Sequence, residues 1–289
     1  MTPSIPKISE LAPIFFNEDA CISFLFNQGI LIPRSSCQIC CGVLKQYGLR
    51  FRCTRDSCRK SVSIFEGSFF AGQRLKCCEI LHLGYLWLTG CSYQTIIHHT
   101  AHSDHTISSY MKYFRGLVSE MIDTDDTIVG GPGVVVEVDE TKVGKRKYNR
   151  GHSVEGAWVI VGVELTEERL IFAEVVQNRN ASTLEDVLSR HIAADSIIQT
   201  DCWRGYSSIS ERFGIEHRTV NHSNWFTDPE TGYNTNTVEG NNYAIKRAIP
   251  IRCRTQDKIG EFLHEFIWRR KNKSHLWSSF IYALKEVLY

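Results

Sequence analysis

G-V-V-V-E-V-D-E, residues 133–140, decides how this chain folds. Its valines are β-branched and unbroken by turn residues, so the stretch predicts a strand over Val134–Val138, opened by Gly133 and closed by Asp139. S-I-I-Q-T-D, residues 196–201, repeats the pattern, with a strand over Ser196–Thr200 closed by Asp201. A third acid, Glu239, stands 38 residues further on in N-T-N-T-V-E-G-N-N-Y, early in a helix that Thr237 is placed to cap. If the two strands pair in parallel, both aspartates leave the sheet at one edge, where open α/β sheets hold their ligands. Carboxylates are hard oxygen donors suited to Mg²⁺ or Mn²⁺. Two such ions about 3.5–4 Å apart stabilise the attacking and leaving oxygens of a phosphodiester exchange. Asp139, Asp201 and Glu239 are therefore the candidate catalytic and metal-binding acids of an enzyme that cuts or joins a nucleic acid strand. The first turn of a helix also favours an acid for dipole reasons, so Glu239 has a structural explanation beside the catalytic one.

Outward from these acids, apolar runs predict further strands over Trp158–Glu164, Leu170–Val176 and His217–Val220. A helix with a capping box at Ser182 and Glu185 separates the third strand from the fourth. Three strands, a helix, then a strand is the order of an RNase H-like domain, an α/β (α+β) fold with a mixed sheet, assigned to residues 134–289. The acidic, glycine-rich D-T-D-D-T-I-V-G-G-P-G, residues 123–133, reads as the linker before it. Lys142, Lys145, Arg146, Lys147 and Arg150 follow Asp139 closely enough to form a basic hairpin loop beside the site. That loop either grips phosphates or is merely solvated. Lys246 lies two helical turns after Glu239 on the same face, with Arg247 next to it, and both are candidate DNA contacts. His222 and the aromatics Trp225, Phe226 and Tyr233 occupy the loop before the Glu239 helix. Stacking on an unpaired base competes there with simple packing.

Upstream, three segments precede the linker. Residues 1–33 contain F-F-N-E-D-A-C-I-S-F-L-F, read as one packing helix. Residues 34–70 hold Cys37-x-x-Cys40 and Cys53-x4-Cys58, two pairs able to close a tetrahedral thiolate site of the zinc-ribbon kind, with Cys41 as an alternative to Cys40. Residues 71–124 read as helices: L-K-C-C-E-I-L-H-L-G-Y-L-W-L at helical period, a break at Thr89-Gly90, a short helix from Ser92 and another from about Ser103. The last two suggest a helix-turn-helix. The helix bearing His105, Ser108 and Ser109 would then be the reading element, unless the bundle serves only to pack the ribbon.

Composition agrees with an intracellular nucleic-acid enzyme. The 289 residues are 43% hydrophobic and 11% aromatic, enough for about two cored domains, so a disordered chain is excluded. No long uncharged apolar run reads as a membrane span, and the N-terminus lacks the order of a secretory signal. Nine of the 11 cysteines lie between Cys21 and Cys91, a clustering that in a reducing compartment means metal ligands. The formal net charge of +1 hides segregation. Nine Lys/Arg face two acids from Arg34 to Lys76, and nine face three from Asn242 to Lys273. Such local patches set the field that a phosphate backbone meets.

V-E-V-D-E-T-K, Q-T-D-C-W-R-G-Y, V-N-H-S and N-T-N-T-V-E-G-N-N-Y-A-I-K-R together resemble the core of Merlin-type DDE transposases and their bacterial relatives with an ISXO-like transposase domain. The likeness runs from about Ser35 to Arg270. It implies that Asp139, Asp201 and Glu239 are the triad, that the fold is RNase H-like, and that the reaction is cut-and-paste DNA transposition with Mg²⁺ or Mn²⁺. It also supports a zinc ribbon, through C-x-x-C before R-F-R-C and S-x-F-x-G-S-F-F, although Gln38 stands where the family usually has proline. The expected partners are double-stranded DNA at transposon ends and targets, and further copies of the chain in a dimer or larger complex. The expected location is the nucleus in a eukaryote or the cytoplasm in a bacterium, with Lys145-Arg146-Lys147 a weak import signal. A domesticated DNA-binding protein and a different RNase H-like nuclease are the alternatives.

Overall fold

A computed structural model describes residues 4–144, 156–220 and 234–287. The chain divides into two compact units, Met1–Met121 with Asn272–Tyr289, and Ile122–Lys271.

In the first unit the expected single N-terminal helix is two, α1 (Ile8–Phe16) and α2 (Glu18–Asn27). Asn17 separates them, because its side chain accepts the Ala20 N–H at 3.0 Å and starts α2 afresh. A three-stranded antiparallel sheet follows, β1 (Leu44–Tyr47), β2 (Arg50–Cys53) and β3 (Ser61–Ser63). Three helices come next, α3 (Cys77–Leu88), α4 (Tyr93–Thr100) and α5 (Asp104–Ser119), at the places their periodicity and caps predict. Ser92 and Ser103 accept the N–H groups of Thr95 and Thr106, each at 3.2 Å, and so begin α4 and α5. Between them Ala101 takes a left-handed φ of 57°, which makes the turn tight. Cys77 and Cys78 are both buried, and the Glu18 carboxylate accepts both backbone N–H groups at 3.1 Å.

The second unit carries a five-stranded mixed sheet. Its strands are β4 (Val135–Val143), β5 (Ala157–Glu164), β6 (Ile171–Val176), β7 (Ile197–Asp201) and β8 (His217–Val220), in the spatial order β6-β5-β4-β7-β8. β6, β5 and β4 pair antiparallel with one another, whereas β4–β7 and β7–β8 pair parallel. β4 is longer than its valine run implies. Its pairing with β5 continues through Lys142↔Trp158 to Val143↔Ala157, so Asp139 sits in mid-strand rather than at the end, and Lys142 belongs to the strand rather than to a loop. β5, read A-W-V-I-V-G-V-E, is central and buried on both sides, which accounts for its nearly unbroken apolar run.

One face of this sheet packs Val143, Val159, Val161 and Val163 against helices α8 (Asn236–Ala248) and α9 (Ile259–Lys271). The other packs Val136, Val138, Ile160 and Phe172 against α6 (Ala181–His191) and the short α7 (Ile209–Phe213). The expected capping box of α6 is absent. Asn180 caps the helix through Thr183 N–H at 2.9 Å, and Glu185 instead takes tertiary partners, the Ser208 hydroxyl and Arg212, both at 2.7 Å. The acidic linker is part of the unit too. Val129 is buried and bridges to Ile192, because its N–H and carbonyl find partners in the backbone of His191 and Ala193. The chain then leaves this unit, and its last helix, α10 (Leu276–Glu286), packs with α3 and α5 in the first.

Candidate active site and thiolate centre

β4 and β7 lie parallel with Glu137 opposite Gln199, and the same register carried two residues on sets Asp139 level with Asp201. Alternation along the strands sends Glu137, Asp139, Gln199 and Asp201 to the α8 face of the sheet. Each aspartate is held by the backbone beyond it: Asp139 Oδ1 accepts the Glu140 N–H at 2.8 Å, and Asp201 Oδ1 accepts the Trp203 N–H at 2.9 Å.

α8 brings the third acid. It begins at Asn236, one residue after Thr235, so Thr237 lies inside the first turn and is not the cap. Glu137, buried at 1% exposure on β4, accepts the Val238 N–H at 2.8 Å in place of a local cap. Glu239 follows in that turn and is exposed, and the Thr235 hydroxyl reaches its Oε1 at 3.5 Å. One turn on, Asn242 Nδ2 donates to Asp139 Oδ2 at 2.7 Å, which ties the helix to the strand a second time.

Burial pushes the Asp139 carboxyl up to about 6, and the charges of Asp201 and Glu239 push the same way, against the N–H groups of Glu140 and Asn242. The charges of Asp201 and Glu239 are thus near enough to disfavour the charged form of Asp139. Asn242 Oδ1 is buried with no hydrogen-bond partner among the described residues, beside this cluster. The donor set is all oxygen, so a hard divalent cation fits it. The three carboxylates are more widely spread than the four cysteines, which alone among the described residues place three or more ligating atoms within 4.8 Å of one another.

On the opposite face of β4, Glu140 is buried as deeply, with a side chain 4% exposed. The hydroxyl of Tyr206 donates to it, and Arg179 Nη1 lies 3.4 Å from its Oε2. Burial holds the Glu140 carboxyl up at about 7 despite these partners. Tyr206 belongs to the one-turn helix Arg204–Tyr206 that follows Asp201, so this contact binds the segment after one aspartate to the strand that carries the other.

Of the predicted DNA contacts, Lys142 lies on β4 with Nζ 5.5 Å from the Trp158 ring. Lys246 is half-buried, and the exposed Arg247 rests 5.8 Å from the Tyr243 ring. Lys145, Arg146, Lys147, Arg150, His222, Trp225, Phe226 and Tyr233 lie outside the described residues. Glu137, Glu140, Tyr206 and Asn242 were not singled out from sequence. The alternation in E-V-D-E would have placed Glu137 beside Asp139, but nothing local announces the other three.

In the first unit the Sγ atoms of Cys37, Cys40, Cys53 and Cys58 lie within 4.8 Å of one another, with Cys37···Cys58 at 3.8 Å and Cys40···Cys53 at 3.5 Å. The edge of a tetrahedron with 2.3 Å metal–sulfur bonds is about 3.8 Å, so the four thiols fit a zinc ion. Cys41 is exposed and its sulfur lies outside this cluster, whereas that of Cys40 lies within it. Backbone N–H groups of Cys40 and Ile39 draw the Cys37 thiol down to about 7. The Arg55 N–H acts likewise on Cys53, but burial and the neighbouring sulfurs of Cys40 and Cys58 outweigh it and push that thiol up to about 11.

Residues 117–271 match the family described as ISXO2-like transposase domain, a span that contains all three acids and the whole five-stranded sheet. No curated protein matches the chain. No helix among the described residues is long and apolar enough to cross a membrane.

Proposed function

From the premise that the chain belongs to the ISXO2-like transposase domain family, we propose that it is a DDE transposase acting on the terminal inverted repeats of a mobile DNA element. Family membership by itself carries a transposase role and DNA binding. The finer reading adds metal-dependent strand cleavage and strand transfer by a cut-and-paste route, on a sheet of the RNase H-like type. The observation that supports it most is the convergence of Asp139, Asp201 and Glu239 from two parallel strands and a helix, where the charges of Asp201 and Glu239 disfavour that of Asp139.

Asp139, Asp201 and Glu239 would hold two Mg²⁺ or Mn²⁺ ions, whose chemistry is to acidify a water or a terminal 3′-hydroxyl and to neutralise the leaving oxygen. The residues of the chain orient that set. Glu140 N–H and Asn242 fix the Asp139 carboxylate, Trp203 N–H fixes that of Asp201, and Glu137 fixes the helix that carries Glu239. No side chain is needed as a covalent nucleophile. Cys37, Cys40, Cys53 and Cys58 would hold Zn²⁺ and stabilise the small ribbon. α4 and α5 would read the DNA as a helix-turn-helix, and two transposon ends would be joined by a dimer or larger assembly on DNA.

The test is cleavage of a short duplex bearing the element's end, with Mg²⁺ or Mn²⁺, by the wild type and by Asp201→Asn. Metal-dependent cutting by the wild type and none by the variant is expected, with DNA retention similar in both. A variant that still nicks the duplex removes the triad. Terminal inverted repeats flanking the coding region separate a transposase from a nuclease that does not transpose.

A further inference from the structure

Arg179, in the turn before α6, lies between two indoles. Its Cζ is 4.4 Å from the ring centre of Trp158 and 4.7 Å from that of Trp203. Contacts of this kind orient a guanidinium and reduce the entropy it loses on forming hydrogen bonds. Yet the side chain remains 43% exposed, and the donor contact it makes among the described residues is the single 3.4 Å approach to Glu140. A guanidinium placed only to neutralise Glu140 would form the two-pronged pair at about 2.8 Å that its fork favours. Glu140 instead spends its other oxygen on the Tyr206 hydroxyl.

Lys142 Nζ lies 5.5 Å from the same Trp158 ring, so a second cation stands at this indole. Trp203, whose N–H is held by Asp201, and Trp158 on β5 thus brace Arg179 on the face of β4 that carries Glu140, opposite the face of Asp139.

We propose that Arg179, braced by Trp158 and Trp203 and assisted by Lys142, is a phosphate-binding site that grips the backbone of duplex DNA. The proposal rests on the reading of the chain as a DNA enzyme. It assigns this site no part in bond breaking.

The experiment measures binding of a 30-base-pair duplex of arbitrary sequence by fluorescence anisotropy from 50 to 300 mM KCl, without divalent metal. Each phosphate contact adds about 0.9 to the slope of log affinity against log salt concentration. Arg179→Gln should lower that slope by about one contact and weaken binding several-fold at 50 mM KCl. Arg179→Lys, which keeps the charge and loses the fork, should keep the slope while losing part of the affinity. Because Arg179→Gln leaves Glu140 unpaired, Glu140→Gln is compared with the double variant Glu140→Gln/Arg179→Gln, in which no buried carboxylate is stranded. A lower slope in the double variant supports the site. An unchanged slope and affinity, with only the melting temperature altered, assigns Arg179 to the neutralisation of Glu140 and overturns it. A wild type that does not bind the duplex overturns the site together with the DNA reading beneath it. Since the assay contains no metal and no cleavage, loss of the triad assignment by active Asp201→Asn leaves this result standing on its own.

Discussion

Glu137 on β4 accepts the backbone N–H of Val238 at 2.8 Å, across 101 residues of sequence. A buried carboxylate thereby satisfies one of the donors that every helix leaves free at its N-terminus. The same contact sets the first turn of α8, and with it Glu239, against the strand that carries Asp139.

Removing that acceptor strands a buried N–H. Glu137→Ala should lose about 1–3 kcal/mol for the unsatisfied donor, with a further loss from the space it leaves. Glu137→Gln keeps an acceptor and should lose less. Urea unfolding measures both, and cleavage should fall far more in the alanine variant than in the glutamine variant. Equal stability in the two would show that α8 does not depend on this contact.

Asp139 gives the metal-free protein a pH dependence. Its folded carboxyl titrates at about 6 against an ordinary 3.8, mainly because of burial, so the folded state binds the proton more tightly than the unfolded one. Stability therefore falls as the pH rises from about 4 through about 6, and the cost is fully present above. Asp139→Asn should stabilise the metal-free protein by on the order of 2 kcal/mol at pH 7.5 and by little at pH 4. Thermal melts of both proteins across that range decide it. Added Mn²⁺ should raise the melting temperature of the wild type and leave that of the variant nearly unchanged.

For the thiolate centre, one zinc per chain is the expected result of metal analysis. Cys53→Ser should lose the ion and unfold the ribbon. Cys41→Ser should retain it, because Cys41 is exposed and outside the cluster. Zinc loss on changing Cys41 would mean that the site uses a different set of sulfurs.

α5 offers a test of sequence reading. Ser103 caps it and His105 is exposed in its first turn. Ser103→Ala should lose about 1 kcal/mol of helix stability, and with His105→Ala it should relax preference for the element's end in footprinting. A footprint unchanged in both variants would leave α4 and α5 a packing role alone.

Much of the second unit was legible because its strands announce themselves. Most strand residues in β5, β6 and β7 are apolar or β-branched, and the three acids interrupt runs of known period. β4 was read short because its last residues, Glu140 to Val143, are mixed in polarity and owe their strand conformation to β5 across the hairpin. The α6 cap was misplaced for a related reason. Ser182 and Glu185 have the right spacing, but Asn180 starts the helix earlier and Glu185 gains more from Ser208 and Arg212.

Residue type and local spacing alone determined the donors: oxygen at Asp139, Asp201 and Glu239, sulfur at Cys37, Cys40, Cys53 and Cys58. Tertiary structure decided which neighbours serve them. Of the acids in E-V-D-E, Glu137 and Asp139 turn toward α8 and Glu140 turns away, to Tyr206 and Arg179. The reason is physical. A carboxylate's chemistry follows from its charge and is written in its residue type, whereas its partner follows from strand register and helix docking, which bring together groups as far apart in sequence as Asp139 and Asn242.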